Sequence, residues 1–374
     1  MKSRLAALSV LVPGLLAQAP PTAAPNPKPG DWKGLGAFAA SEAKQDRFSG
    51  VLLVARHGTI LLQEVEGSAH RGDGIPNTLD TRFNLASMGK LFTAVAIGQL
   101  VEQGKVGLDD PILKYLPEYK DQPGWDKVKI KHLLSHTAGF GNYWGPAFDA
   151  KRADIRAVKD YFPLFTGKPL AFEPGTRWSY SNVGFIILGA IIERASGEDY
   201  FGYIQKHIFD PAGMKDSGYF ELDRDTPRLA EGYFHPRDGD GKLLSQDWLN
   251  DRLQVVAKGG PAGGGYATAP DLVRFAEAVM SGKLVKAETL QTLTTAHATF
   301  PKPPGAEFEI SYGYGFDLEQ RGSQLILGHN GGAPGIATDL LMEPATGTVV
   351  VMLSNLDPAD LGRVPDRIRE VWPR

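Results

Sequence analysis

The chain has 374 residues, 42% of them hydrophobic, enough to fill one large core or two interleaved ones. Forty Lys and Arg against 43 Asp and Glu give a net charge of -3 with no basic run, which argues against a nucleic-acid footprint and a polybasic membrane contact. With no Cys there is no thiol catalysis, no disulfide and no cysteine-ligated zinc or iron–sulfur centre, leaving His and carboxylates as the metal-ligand types available.

Residues 1–19 join a short basic start to an apolar stretch broken by Pro13 and end in Ala17-Gln18-Ala19. Too short to span a bilayer, they read as a secretory signal peptide and predict an exported protein, periplasmic or secreted. Residues 20–31, rich in Pro and Ala, read as a disordered spacer. An amphipathic helix is expected over 35–45, then a hairpin whose strands, 51–55 and 60–62, flank His57-Gly58. Over 88–103, Leu91, Phe92, Val95, Ile97, Leu100 and Val101 surround the helix instead of forming one stripe, which predicts a buried helix closed by Gly104. Helical patterns continue at 130–135, 154–161, 183–195 with Gly197 as C-cap, 200–208, 270–281 and 286–293. Strand patterns return at 315–319, 324–327, 339–342 and 349–353, followed by a helix near 361–372.

Strands at both ends with helices between them predict an α/β (α+β) fold, in which one antiparallel sheet is built from both chain ends and flanked by helices. Residues 32–90 and 260–374 would form the sheet region and 91–259 a mainly helical region, with the active site between them.

Three short motifs carry the chemistry. Ser87-Met88-Gly89-Lys90 places an amine one helical turn from a hydroxyl, on the same face. Tyr180-Ser181-Asn182 is the one Tyr-x-Asn match in the chain. His329-Asn330-Gly331-Gly332 closes a strand-like run, where glycine opens a backbone edge to a substrate. Ser-x-x-Lys and His-x-Gly each occur twice, at Ser41–Lys44 and His70–Gly72 as well, but the order Ser, Tyr, His with two long gaps leaves one usable combination. A serine hydroxyl needs help to attack at neutral pH. Lys90 supplies it either as a free amine, if burial lowers its pKa, or by holding another base in its anionic form. Tyr180 has two roles open to it, a phenolate base stabilised by Lys90 and an acid for the leaving group. Asn182, directly before an apolar run, is expected to be a helix N-cap and a substrate contact. The backbone N–H groups of Ser87 and Gly332 are the candidate oxyanion hole.

At these residues the chain resembles the class C β-lactamase-like serine hydrolases, a family that includes D-Ala-D-Ala carboxypeptidases, D-aminopeptidases and β-lactamase-related esterases. The resemblance runs from about Phe48 to Leu356 and takes in Leu133-Leu134-Ser135-His136-Thr137-Ala138-Gly139, Pro174-Gly175, Pro211-Ala212-Gly213-Met214 and Ala262-Gly263-Gly264. It implies a penicillin-binding-protein-like fold, Ser87 as the acylated nucleophile, Lys90 and Tyr180 as its activators, and Asn182, His329, Asn330 and Gly331 as substrate-binding residues. True class C β-lactamases carry lysine at the place of His329. The histidine, only partly charged near neutral pH, therefore ranks an esterase or amidase/peptidase above a β-lactamase or D-Ala-D-Ala carboxypeptidase.

Other features read more plainly. Ser41 and Lys44 form a solvated surface pair. His132 and His136 lack the glutamate of a zinc helix and read as structural hydrogen-bonding residues, so no metal and no cofactor are expected. No G-x-S-x-G elbow exists to start an α/β-hydrolase triad. Glu173, beside Pro174-Gly175, reads as a turn residue. Trp125, Tyr143, Trp144 and Phe148 are divided between core and pocket mouth, and Tyr266, Tyr312 and Tyr314 are equally ambiguous. The expected partner is a small ester, amide or D-amino-acid peptide, with no nucleic acid and no stable membrane insertion. The rival from another class is a binding protein that keeps the fold without the chemistry.

Overall fold

The computed structural model describes residues 28–302 and 308–373. The expected signal peptide, and the expected spacer up to residue 27, lie outside the described residues. The main sheet has eight strands, labelled here β1 (Gly50–Arg56), β2 (Thr59–Glu66), β3 (Ala298–Thr299), β4 (Glu309–Tyr312), β5 (Asp317–Arg321), β6 (Gln324–Ala333), β7 (Ile336–Glu343) and β8 (Thr348–Ser354). Their order is β2-β1-β8-β7-β6-β5-β4-β3, every pairing antiparallel, so the two chain ends meet where β1 pairs with β8.

The pleat sends alternate residues to opposite faces, and the sequence fills both faces with apolar side chains. On the outer face Leu52, Val54, Ile326, Leu341, Val350 and Met352 pack against helices α1 (Trp32–Ala43) and α5 (Val364–Val371). Trp32 and Trp372 meet edge to face there at 6.2 Å, which ties the first helix to the end of the last. On the inner face Val51, Leu53, Leu327, Leu340, Val351 and Leu353 join the larger core with α2 (Lys90–Glu102), α3 (Asn182–Ser196) and α4 (Ala269–Met280). The helix at 88–103 is as buried as its all-round apolar pattern predicts, with ten of its residues from Lys90 to Leu100 in the interior.

Several boundaries differ from the sequence reading. The expected helix at 154–161 is two separate 3₁₀ turns, Arg152–Asp154 and Val158–Leu164, with Ile155 extended between them. The Asp160 carboxylate accepts from the backbone N–H of Arg156 and Ala157, a local bond that competes with a continuous helix. Strand β6 runs through His329–Gly332 to Ala333 instead of stopping before them, because β7 pairs with it along its length. Strands β3 and β4 lie at the sheet edge in a segment that carried no strand expectation.

Candidate active site

Ser87 sits in a single 3₁₀ turn, Ala86–Gly89, that feeds directly into α2. The turn is held under strain. Ala86 has a φ of 43°, a left-handed conformation that costs a non-glycine residue about 1 kcal/mol. Its N–H donates to Asn84 Oδ1 at 2.9 Å, its carbonyl accepts from Gly264 N at 3.1 Å, and the Leu85 carbonyl before it accepts from Thr338 Oγ1 at 3.1 Å. Two glycines let the neighbours close in. A Cβ on Gly331 of β6 would meet the Leu85 carbonyl at 2.2 Å, and one on Gly263 would meet the Ala86 carbonyl at 2.1 Å. The nucleophile turn is thus clamped between β6 and the 263–265 loop.

Lys90 Nζ lies 3.0 Å from Ser87 Oγ, 2.7 Å from Asn182 Oδ1 and 2.6 Å from the Ala262 carbonyl. Asn182 is held amide-to-amide, its Nδ2 and backbone N both donating to Asn142 Oδ1, so its own oxygen is the atom turned to the lysine. Both partners of Lys90 other than Ser87 are acceptors only. They take two N–H bonds, and a neutral amine then has its lone pair left for the Ser87 hydroxyl hydrogen. The lysine is fully buried, and burial pulls its pKa well below 10.5 against the opposing pull of Asp317.

Tyr180 completes the group. Lys90 Nζ lies over its ring at 4.8 Å from the centroid, and the ring of His136 packs on it at 4.3 Å. Burial pushes the phenol well above its usual value of 10, and the nearby Ser87 hydroxyl opposes the rise. Of the two roles open to Tyr180, the resting phenolate is therefore disfavoured, and burial favours the uncharged form of both the amine and the phenol.

Asn182 is not the N-cap expected of it. Ser181 holds the cap position, with extended φ and ψ of -139° and 117° and its hydroxyl accepting from Gly184 N at 3.3 Å. Asn182 is the first helical residue, its side chain drawn inward by Lys90 and Asn142. On β6 the pleat separates the third motif: His329 is buried on the inner face, Gly331 abuts the nucleophile turn, and Asn330 and Gly332 are exposed. Asn330 therefore faces away from His329, and its carbonyl, not its amide, touches the imidazole at 2.6 Å.

The remaining sequence readings resolve simply. Ser41 is exposed and bonds its own helix at Phe38 O. His132 Nδ1 accepts from Lys129 N at 3.2 Å, and Glu173 is an exposed turn residue paired with Lys127 at 2.9 Å. Trp125 is core, whereas Trp144 is 49% exposed. Three contributors were missed as site elements: Asn142, the Ala262 carbonyl, and Tyr312, whose hydroxyl links His136 to His329. His136-Thr137-Ala138-Gly139 lay within the resemblance, but Tyr312 carried no signal beyond being aromatic.

A serine hydroxyl from the Ala86–Gly89 turn, a buried amine from the start of α2 and a phenol from the segment before α3 define a serine hydrolase. The family model described as Beta-lactamase matches residues 36–371, and the chain belongs to that family. A penicillin-binding protein of Bacillus subtilis (strain 168) is 31% identical over 321 residues, covering 83% of this chain and 69% of that one. Esterase EstB of Burkholderia gladioli is 34% identical over 268 residues, 64% of this chain and 67% of that one. The crystal structure of a penicillin-binding protein from Bacillus halodurans superposes with a TM-score of 0.77 at 32% identity, covering 89% of this chain and all of that one.

Proposed function

We propose that the protein cleaves small carboxylic esters, and amides or peptides less readily, through an acyl-enzyme on Ser87. The observation that carries this reading is the Lys90 amine, buried and bound to two pure acceptors with Ser87 Oγ at 3.0 Å. Lys90 takes the Ser87 proton as Oγ attacks the substrate carbonyl. The lysinium so formed is steadied by the faces of Tyr180 and Phe185, 4.8 and 5.5 Å from Nζ to the ring centroids. The backbone N–H groups of Ser87 and Gly332 receive the developing oxyanion. Tyr180, protonated at rest, gives its proton to the leaving oxygen or nitrogen and regains one from Lys90. Water then attacks the acyl ester while Lys90 takes a proton from it, the bond from the acyl carbon to Ser87 Oγ breaks, that proton passes to Oγ, and the acid is released. Asn182 orients Lys90 and the bound substrate, and the strand His329–Gly331 flanks it.

Esters rank first because His329 stands where a β-lactamase has lysine, and burial holds this imidazole below its usual pKa. An ester also demands less activation of its leaving group than an amide. We further propose that the protein is exported, on the basic start, short apolar stretch and Ala17-Gln18-Ala19 end of residues 1–19. The site would lie between the sheet region and the mainly helical region.

The test is a panel of short p-nitrophenyl esters, nitrocefin and D-alanyl peptides, with Ser87→Ala as control. Ester turnover lost in the control is expected; rapid nitrocefin turnover without ester turnover would reverse the ranking. Inactivity on the whole panel by a folded sample would favour the binding-protein reading.

A further inference from the structure

Behind the nucleophile, three buried rings form a line that the proposed chemistry does not use. Ser181 N–H reaches His136 Nδ1 at 3.2 Å, His136 Nε2 lies 3.1 Å from the Tyr312 hydroxyl, that hydroxyl lies 3.2 Å from His329 Nε2, and His329 Nδ1 lies 2.6 Å from the Asn330 carbonyl. His136, Tyr312 and His329 are each no more than 3% exposed.

The two ends of the line are backbone groups, and they fix its direction. Ser181 N–H can only donate, so His136 Nδ1 is bare and the ring's proton sits on Nε2, donated to Tyr312. Tyr312 then turns its own hydrogen to His329 Nε2. The Asn330 carbonyl can only accept, so His329 carries its proton on Nδ1. Each group has one donor facing one acceptor when all three rings are neutral. A second proton on His329 Nε2 would have to be donated to Tyr312. Tyr312 would then either accept from both imidazoles and leave its own hydrogen without a partner in the line, or turn it towards His136 Nε2, where His136 would need to accept on both nitrogens while its ring proton has no place.

We propose that His136 and Tyr312 are positioning residues whose one-way relay keeps His329 neutral and oriented, so that the site takes substrates without a free carboxylate beside the β6 strand. This rests on the hydrolase reading above and adds the substrate class to it. The groups facing the relay are few. Asp317 Oδ2, 3.9 Å from His329 Nδ1, would favour an imidazolium, but the Nδ1 proton is already committed to Asn330. From α2, Lys90 disfavours it whenever that lysine itself carries a proton, and the Tyr180 ring lies 6.5 Å away. Burial lowers the pKa of both histidines, that of His136 strongly. His136 also has a φ of 57° while its ring packs at a tilt on Tyr180 at 4.3 Å and Phe185 at 5.2 Å, so the backbone is strained at the residue that begins the line.

The experiment is nitrogen-15 NMR of the histidine rings in the full chain at neutral pH, with His136→Gln and His329→Gln used for assignment. Opposite tautomers are expected, protonated on Nε2 in His136 and on Nδ1 in His329. Identical tautomers, or an imidazolium at either residue, would overturn the relay. In Tyr312→Phe, His329 should take up a proton at a higher pH than in the wild type. The preference in kcat/KM for a methyl-esterified depsipeptide over its twin with a free terminal carboxylate should then fall about tenfold, the change that one pKa unit makes in the charged fraction. If titration and preference both stay as in the wild type, the relay has no such role. Opposite tautomers in a protein that cleaves no ester would keep the relay and remove the hydrolase reading.

Discussion

The two faces of the sheet treat buried charge in opposite ways. On the outer face Arg369 of α5 reaches Glu319 at 2.7 Å and Asp339 at 2.9 Å, with Arg321 on Glu319 at 3.0 Å. Burial alone would push Arg369 down and both carboxyls up; partners outweigh it at Arg369, left above its ordinary value, and at Glu319, left below, whereas at Asp339 burial outweighs Arg369 and the carboxyl is raised. On the inner face Lys90 and His329 meet neutral acceptors and a phenol, with Asp317 as the carboxylate that pulls against their burial, and burial wins. The same desolvation gives a structural ion cluster where opposite charges touch, and a set of neutral bases where they do not. A neutral base is what a serine needs.

The largest effects should come from the inner face. Lys90→Ala and Tyr180→Phe are each expected to lower ester turnover about a hundredfold or more, as positioned acid–base groups do. Near-normal turnover in either would remove that residue from the mechanism. On the outer face, Arg369→Met strands two buried carboxylates and should cost about 3 kcal/mol in urea unfolding. Glu319, lowered in the fold, adds stability above its unfolded pKa of about 4.3 that is lost as pH falls through the folded value. Arg369→Met should therefore flatten the acid side of the stability curve; an unchanged curve would show the cluster to be idle. Lys90 has the reverse sign: lowered in the fold, it costs stability while the unfolded lysine is charged, and that cost fades as pH rises towards 10.5. The smallest effect should be that of Thr338→Val, which removes the bond to the Leu85 carbonyl and is expected to cost about 1 kcal/mol. Its mark would be a lower kcat at unchanged KM, because the strained Ser87 turn loosens; a change in KM alone would place Thr338 in substrate binding.

The sheet built from both chain ends was legible because strands β1 and β8 carry continuous apolar runs and β7 the shorter run Leu340-Leu341-Met342, and α2 because its apolar residues leave no polar stripe. The meeting of Ser87, Lys90, Tyr180 and Asn182 was legible from spacing and order. What was not legible depended on strand pairing and on contacts that no single residue type announces. Strand β6 continues past its apolar residues because β7 pairs with it, and Asn182 yields the cap to Ser181 because a lysine 92 positions earlier claims its oxygen. The Ala262 carbonyl is a backbone atom, which no residue type announces. Tyr312 becomes part of the site only through two histidines, one far before it and one beyond it in the chain.

The central claim, that a neutral Lys90 draws the proton from Ser87, is tested most directly by the pH dependence of labelling with a fluorophosphonate, read by intact mass. The account predicts one adduct per chain, located at Ser87 and absent in Ser87→Ala. Its rate should fall on acidification as a single group is protonated, with a midpoint well below 10.5 that disappears in Lys90→Ala. An adduct at another residue, or an acid limb that persists unchanged without the lysine, would contradict it.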